Sequence, residues 1–185
     1  MVLPFRVHPI LPESAGGPSD SGTDGPPAPL PPPPTYTGSG LTTYDLRAAQ
    51  TIADTLARYL GLDAPGSGMV IPFAVQVQIE VAGGDPQRSE GALRNNPLNL
   101  TGTGWDGQIG TWGGRFAAFD TLDNGARAAA ANYGSADSGG YYRDVRAAML
   151  TGDPIRLAEA IDSSPWNAGG YGGRIPYGTR LALGA

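Results

Sequence analysis

The chain of 185 residues contains no cysteine, no lysine and only one histidine, His8. The absence of cysteine excludes disulfides, thiol nucleophiles and thiolate metal sites. A Ser-His-Asp triad and a multi-histidine zinc site are nearly excluded as well, because the one histidine lies near the N-terminus. No glycine-rich phosphate motif follows a strand. We therefore expect no metal and no other cofactor, and any chemistry must use carboxylates, hydroxyls and amides.

Positive charge is also scarce. The chain has 12 basic residues, all arginine, against 17 acidic ones, which gives a net charge of −5. Phosphate binding needs a basic face, so we expect no nucleic acid partner. No run approaches the ~18 apolar residues of a membrane span. The stretch 1-MVLPFRVHPILPES-14 has no basic region and no continuous apolar region, so we expect no signal peptide.

The composition divides the chain into two parts. Residues 12–40 are rich in Pro, Gly, Ser and Asp, with 29-PLPPPP-34 at their centre, and such a segment favours extended polyproline II. We expect residues 1–40 to form an extended arm, which serves as a tether or docks along a partner. Residues 41–185 are expected to form one globular domain of about 140 residues, a size that needs no disulfide or metal to hold it.

Helical periodicity begins directly after the arm. Apolar side chains recur on one face of a predicted first helix, with Thr42 or Thr43 as its cap and Gly61 as its stop. These apolar residues are Leu46, Ala49, Ala53, Leu56 and Leu60.

The segment 75-VQVQIEVAGG-84 admits two interpretations. A strand of period 2 fits Val75, Val77, Ile79 and Val81, whereas a helical stripe fits Val70, Ala74, Val77 and Val81. β-Branched side chains favour the strand, whereas Pro72 suits the first position of a helix and Gly83-Gly84 suit its end. The local pattern leaves open whether Glu80 lies on the solvent side of a strand or near the end of a helix.

The next elements are a hairpin and a helix. The stretch 107-GQIGTWGGRFAAF-119 predicts a short hairpin that turns at Gly113-Gly114. Thr121 can then cap a helix through the alanine-rich 126-ARAAAANY-133.

Two further helices and an irregular end are expected after them. An apolar stripe from Tyr142 to Met149 predicts a helix stopped by Gly152. Asp153-Pro154 suits the start of a last helix that runs to about Ile161. The aromatic stretch 163–178 is interpreted as irregular.

The stretch 94-RNNPLNLTG-102 offers several amide groups close together. Asn95, Asn96 and Asn99 surround Pro97 in a predicted rigid turn, and their amides suit the hydroxyl and N-acetyl groups of a sugar. A structural turn stabilised by the same amides is the alternative interpretation.

Taken with its surroundings, this turn resembles the lysozyme-like peptidoglycan glycosidases of bacteriophages. The resemblance runs from about Pro72 to Tyr171. It rests on Glu80, 94-RNNPLNL-100, 115-RFAAF-119, 122-LDNGARAAAANY-133 and 161-IDSSPWNAGGY-171. It implies a mainly helical, lysozyme-like α+β domain with a small hairpin that lines a glycan groove.

The resemblance also implies that Glu80 closes a helix and acts as general acid on the glycosidic oxygen. Neighbouring Val77, Ile79 and Val81 give an apolar setting, which favours the protonated form of a carboxyl group. Glu90 is the alternative acid. We prefer Glu80, because Glu90 follows the helix-breaking 83-GGDP-86 and we expect no helix to hold it.

Other polar and aromatic residues complete the predicted site. A second carboxylate is not singled out by the pattern, and Arg94 either orients Glu80 or caps a loop. The candidates for the second carboxylate are Asp85, Asp106 and Asp120. The predicted substrate-binding residues are Asn95, Asn96, Asn99 and the aromatic residues Trp105, Tyr141 and Trp166, since sugar faces stack on aromatic rings.

These features lead to two main hypotheses. In the first, the protein is a glycoside hydrolase or lytic transglycosylase carried in a phage tail, where residues 1–40 dock it to other virion proteins and it cuts peptidoglycan of the host cell wall during entry. In the second, the same fold is an inactive structural or wall-binding tail component. A soluble endolysin is a third possibility. The sequence does not determine which glycosidic bond is cut.

Overall fold

The computed structural model describes residues 40–81, 89–135, 140–166 and 171–185. The predicted arm therefore lies outside the described residues, except for Gly40. The described part is mainly helical, with seven helices and one small antiparallel sheet. The elements are α1 (Thr43–Tyr59), α2 (Val70–Glu80), α3 (Glu90–Leu93), β1 (Gln108–Trp112), β2 (Phe116–Phe119), α4 (Leu122–Gly134), α5 (Arg143–Thr151), α6 (Pro154–Asp162) and α7 (Arg174–Leu183).

Helix α1 begins with the predicted cap. The Thr42 hydroxyl accepts a hydrogen bond from the Asp45 backbone N–H at 3.2 Å, and the Asp45 carboxylate accepts one from the Thr42 N–H at 2.8 Å. This reciprocal pair satisfies two N–H groups that have no partner within the helix. The predicted stripe faces the core, where Ala49, Ala53 and Leu56 are fully buried.

Helix α2 occupies the centre of the domain. Its residues from Ile71 to Val77 are all buried, and it packs against α1, α6 and α7. A helix that is apolar on every side is stable only when it is enclosed in this way. The alternation in this segment thus belongs to a buried helix and not to a strand. Pro72 is the third residue of the helix, not the first as predicted, and Gly83-Gly84 lie outside the described residues.

The predicted hairpin is confirmed. Strands β1 and β2 pair in antiparallel register, with Trp112 opposite Phe116. Gly113 and Gly114 form the turn with φ of 55° and 74°, a left-handed conformation that glycine adopts without steric cost.

The helix caps predicted for α4, α5 and α6 are also present. The Thr121 hydroxyl accepts from the Asn124 N–H at 3.2 Å, and the Asp153 carboxylate accepts from the Ile155 N–H at 2.9 Å with Pro154 in the first turn. Gly152 ends α5 in the left-handed region. Local side chains therefore determine where these helices begin and end.

The last helix was missed by the sequence analysis. Residues 163–178 were interpreted as irregular, but α7 begins at Arg174. Pro176 lies in the first turn, where no intrahelical N–H bond is lost. Gly178 lies where α7 crosses α2, and a Cβ there would come within 2.8 Å of the Val75 side chain. Both residues look like helix breakers locally, yet each suits its place in the packing.

No helix in the described ranges combines the length and the apolar character needed to cross a membrane.

Candidate active site

Glu80 is the last residue of α2 and is half-buried. The helix before it is enclosed by the core, so the position of its backbone is fixed by packing. The side chain thereby stands at the point where a rigid buried helix meets the surface. This is the position that the resemblance to lysozyme-like glycosidases implied for the candidate acid.

Two side chains from distant parts of the chain hold the Glu80 carboxylate. The Tyr171 hydroxyl donates to Oε1 at 2.7 Å, and the Asn99 amide donates from Nδ2 to Oε2 at 3.1 Å. The same Asn99 nitrogen donates to the Glu80 backbone carbonyl at 2.9 Å. Asn99 thus caps the end of α2 and at the same time orients the Glu80 side-chain carboxylate.

Behind Tyr171, further hydrogen bonds lead into the core. The Gln76 amide donates from Nε2 to the Tyr171 hydroxyl oxygen at 3.0 Å, and the Tyr133 hydroxyl donates to Gln76 Oε1 at 2.8 Å. Gln76 and Tyr133 are fully buried, and Tyr171 is 1% exposed. We call Tyr133, Gln76, Tyr171 and Glu80 the buried network.

Burial, and to a smaller extent the nearby Glu80 charge, raise the pKa of Tyr171 far above its usual range. Burial also raises the pKa of Tyr133, with a smaller contribution from Tyr171. Both hydroxyl groups therefore stay protonated at ordinary pH. Each remains a hydrogen-bond donor towards the next member of the buried network.

The predicted asparagine turn is present, and it is fixed to the hairpin by hydrogen bonds. Asn95 and Asn99 have φ of 54° and 52°, a left-handed conformation that asparagine tolerates better than most residues. Asn95 Nδ2 donates to the backbone carbonyls of Phe119 and Asp120 at 3.1 and 3.2 Å. The turn is thereby attached to the end of strand β2.

Asn96 has a structural role in this turn. Its amide group donates to the carbonyls of Leu100 and Ala117 and accepts from the Leu100 N–H, all at 2.8–2.9 Å. The residue is fully buried, which leaves no surface for the sugar that the sequence analysis assigned to it. Of the three asparagines, only Asn99 contacts the candidate acid.

Two glycines allow the turn to lie close to its neighbours. A Cβ on Gly91 would overlap the Asn99 side-chain oxygen, and one on Gly125 would overlap the Asn95 backbone carbonyl. The residues 91 and 125 belong to α3 and α4, so both helices are pressed against the turn. A side chain at Gly91 would displace Asn99, which holds Glu80, and one at Gly125 would displace the backbone of the same turn.

Glu90, the alternative acid, differs in its surroundings. It opens the short helix α3, capped by the Ser89 hydroxyl, so the expectation that no helix holds it is wrong. Its side chain is 56% exposed and lies 3.5 Å from the Arg94 guanidinium. Arg94 is therefore paired with Glu90, and no described contact joins it to Glu80. No such cluster of donors surrounds Glu90 within the described ranges.

The predicted aromatic residues fall in three places. Trp166 is half-buried, donates from its indole N–H to the Leu98 carbonyl at 3.0 Å and packs on Tyr133 with ring centroids 4.6 Å apart. Tyr141 is 57% exposed. Trp105 lies by the hairpin and donates to the Thr101 carbonyl at 3.1 Å. Trp166 thus borders the buried network, whereas the other two do not contact it in the described contacts.

The hairpin side carries an open cleft of about 380 Å³. Its lining residues are Thr103, Gly104, Trp105, Gln108, Gly110 and Thr111. Gln108 is fully occupied with the backbone, since its amide bonds to Gly102, Gly104 and Gly110. Glu80 does not belong to this cleft.

None of the candidate second carboxylates is brought to Glu80 by a described contact. Asp120 is exposed and accepts from the Thr121 N–H and the Asn124 amide at 2.7 and 2.8 Å, so it acts at the start of α4. Asp106 is exposed, and Asp85 lies outside the described residues. No group of three His, Asp or Glu side chains that could hold a metal ion occurs in the described part of the chain.

Gln76, Tyr133 and Tyr171 were not among the predicted site residues. The sequence pattern could have indicated Gln76, because it is a polar side chain enclosed by apolar neighbours in a segment that forms a buried helix. A buried amide requires hydrogen-bond partners. Its partners lie 57 and 95 residues away, and no local pattern identifies them.

We found no match to this chain among protein-family models, curated proteins or solved structures.

Proposed function

We propose that the protein is a peptidoglycan glycosidase of a phage virion, with Glu80 as its general acid. The observation that carries the proposal is the way in which the protein holds this one carboxylate. It stands half-buried at the end of an enclosed helix, and two donors hold it at 2.7 and 3.1 Å. A catalytic carboxylate must be held in one geometry beside its substrate, and this arrangement supplies such a constraint.

The substrate class rests on the resemblance to lysozyme-like phage enzymes. The mainly helical domain, the small hairpin and the asparagine turn beside Glu80 fit that resemblance. The aromatic side chain of Trp166 lies next to the buried network and is half-buried. Residues 1–40 are proposed to dock the enzyme to other tail proteins, and the domain would act on the host cell wall.

The proposed reaction needs one carboxyl group. Glu80 gives its proton to the glycosidic oxygen as the bond from that oxygen to the anomeric carbon breaks. Water, or a hydroxyl group of the same sugar, then bonds to the anomeric carbon and returns its proton to Glu80. The first nucleophile gives hydrolysis and the second gives lytic transglycosylation. An ionised carboxyl group offers about four acceptor sites, so two remain after the bonds from Tyr171 and Asn99, and one of these can take the proton that the acid gives.

Two observations favour the second candidate, an inactive structural or wall-binding tail component. Both oxygens of Glu80 already have donors within the protein, and the open cleft along the hairpin does not include Glu80. A glycan held in that cleft by Trp105 would be bound without being cut.

Turbidity loss and muropeptide analysis on purified peptidoglycan separate these functions. The variants are Glu80→Gln and the matched control Glu90→Gln, which makes the same change at an exposed position. We expect Glu80→Gln to reduce product release by about 10²–10⁴-fold, the usual contribution of a positioned acid, and Glu90→Gln to retain activity.

Other outcomes would change the assignment. Loss of activity in Glu90→Gln alone would make Glu90 the acid. If the wild-type protein releases nothing but pellets with the wall, the binding function is supported and the enzymatic proposal fails. The ends of the released muropeptides would identify the bond and distinguish hydrolysis from transglycosylation.

A further inference from the structure

The buried network places polar groups in the middle of an apolar core. Gln76 and Tyr133 are fully buried and lie among residues such as Phe73, whose ring centroid is 5.8 Å from that of Tyr133. Buried polar pairs add little stability compared with apolar side chains of the same shape. Their effect is directional, because a hydrogen-bonded pair fixes the orientation of both partners.

The direction of the bonds follows from the carboxylate at the surface. In the ionised form, which Glu80 takes once it has given its proton, the carboxylate can only accept, so Tyr171 donates to it. The Tyr171 oxygen then accepts from the Gln76 nitrogen, which turns the amide oxygen of Gln76 towards Tyr133. Tyr133 must therefore donate. One arrangement satisfies every member, and it ends on a single oxygen of Glu80.

We infer that Tyr171, held in turn by Gln76, is a positioning residue that keeps the Glu80 carboxylate in one orientation at the end of α2. Asn99 holds the other carboxylate oxygen, Oε2. The kinetic consequence of this inference rests on the proposed function, whereas the positioning itself does not. Tyr171 acts through Glu80 and need not touch the substrate.

The change that isolates this role is Tyr171→Phe, which removes one hydroxyl group and keeps the ring. It leaves Oε1 of Glu80 without its 2.7 Å donor. The matched control is Tyr142→Phe. The Tyr142 ring packs on that of Tyr133, with centroids 5.0 Å apart. Its hydroxyl is hydrogen-bonded to Asn132, and no described hydrogen bond joins it to the buried network.

Two measurements on the full chain test the inference. In the peptidoglycan assay, Tyr171→Phe is expected to lower kcat by about 10–100-fold with KM unchanged, because a misplaced acid affects the reaction and not ground-state binding. Tyr142→Phe is expected to leave both constants near wild type.

The second measurement does not depend on activity. The chain has only four glutamates, Glu13, Glu80, Glu90 and Glu159, so carbon-13 labelling of glutamate gives four carboxyl signals, and Glu80→Gln identifies one. Tyr171→Phe is expected to move the Glu80 signal alone. Tyr142→Phe is expected to move none of them.

An unchanged Glu80 signal in a folded Tyr171→Phe protein would overturn the inference, as would a fall in kcat equal to that of Tyr142→Phe. If Tyr171→Phe does not fold, as judged by circular dichroism, Tyr133→Phe replaces it, and a Glu80 signal that stays in place there would also overturn the inference. If Glu80→Gln keeps wild-type activity while the Tyr171→Phe signal moves, the proposed function fails and the positioning stands.

Discussion

Gly125→Ala is expected to destabilise the protein although alanine is the better helix former. Gly125 lies in the first turn of α4 against the asparagine turn. A Cβ at this position would overlap the Asn95 carbonyl oxygen and lie 3.0 Å from the Asn95 carbonyl carbon and 3.1 Å from Phe119 Cδ2. Ordinary contacts are 3.4–4 Å. The closest obstacle is backbone, which cannot rotate away as a side chain does.

The size of the effect follows from what must move. Withdrawal of the turn weakens the bonds from Asn95 Nδ2 to Phe119 and Asp120, 3.1 and 3.2 Å long, and the 2.9 Å bond from the Phe119 N–H to the Arg94 carbonyl. Overpacking costs about 1–3 kcal/mol, and each weakened hydrogen bond adds roughly 0.5–1.5 kcal/mol. Alanine returns up to about 1 kcal/mol through helix propensity. If all three bonds were lost, the net loss would reach about 1.5–6.5 kcal/mol. Because they are weakened and not all lost, we expect about 2–4 kcal/mol, a large part of a typical stability of roughly 5–15 kcal/mol.

Urea unfolding followed by circular dichroism measures this loss, with Gly110→Ala as control. A Cβ on Gly110 would meet nothing within 4 Å, and its φ is not positive, so this variant is expected to stay within about 0.5 kcal/mol of wild type. In a thermal scan the Gly125→Ala protein should melt roughly 5–15 °C lower. If Gly125→Ala is as stable as Gly110→Ala, the close approach of α4 to the asparagine turn is incorrect.

Two smaller changes test the supports of the site and of the first helix. Gly91→Ala adds a methyl group that overlaps the Asn99 amide oxygen, so we expect a loss of about 1–2 kcal/mol in urea unfolding and a lower peptidoglycan activity; unchanged values for both would contradict the contact. Burial raises the pKa of Asp45, opposed by its hydrogen bonds with Thr42. The folded state therefore binds this proton more tightly than the unfolded state, and the stabilising contribution is complete below about pH 4 and is lost as the pH rises through the folded pKa. Asp45→Asn keeps the acceptor for Thr42 without the charge, so its stability relative to wild type should increase from pH 4 to pH 7; a constant or falling difference in urea unfolding would refute this.

The sequence alone located most element boundaries because the signals there are local. The capping side chains of Thr42, Thr121 and Asp153 bond to N–H groups two or three residues away, so their effect is contained in a short stretch of sequence. Gly113-Gly114 and Gly152 were recognisable for the same reason, since glycine adopts a left-handed backbone without the steric cost that other residues incur.

The tertiary structure decided what those local signals could not. Helix α2 has β-branched residues and a strand-like alternation, and only its enclosure by α1, α6 and α7 accounts for its helical state. Helix α7 contains Pro176 and Gly178. Pro176 is compatible with the helix because it lies in the first turn, and Gly178 is required where α7 crosses α2 beside Val75. Propensity differences are small compared with the free energy of burying an entire face, so packing overrides them.

The same contrast holds for the candidate acid and its partners. Glu80 was singled out through the resemblance to lysozyme-like phage glycosidases, which places the acid at the end of a helix ahead of an asparagine turn. Its partners were not visible, since Asn99 is 19 residues away and Tyr171 is 91 residues away. A hydrogen bond requires its atoms to meet within about 3 Å, and only the folding of the whole domain brings residues so distant in sequence to that separation.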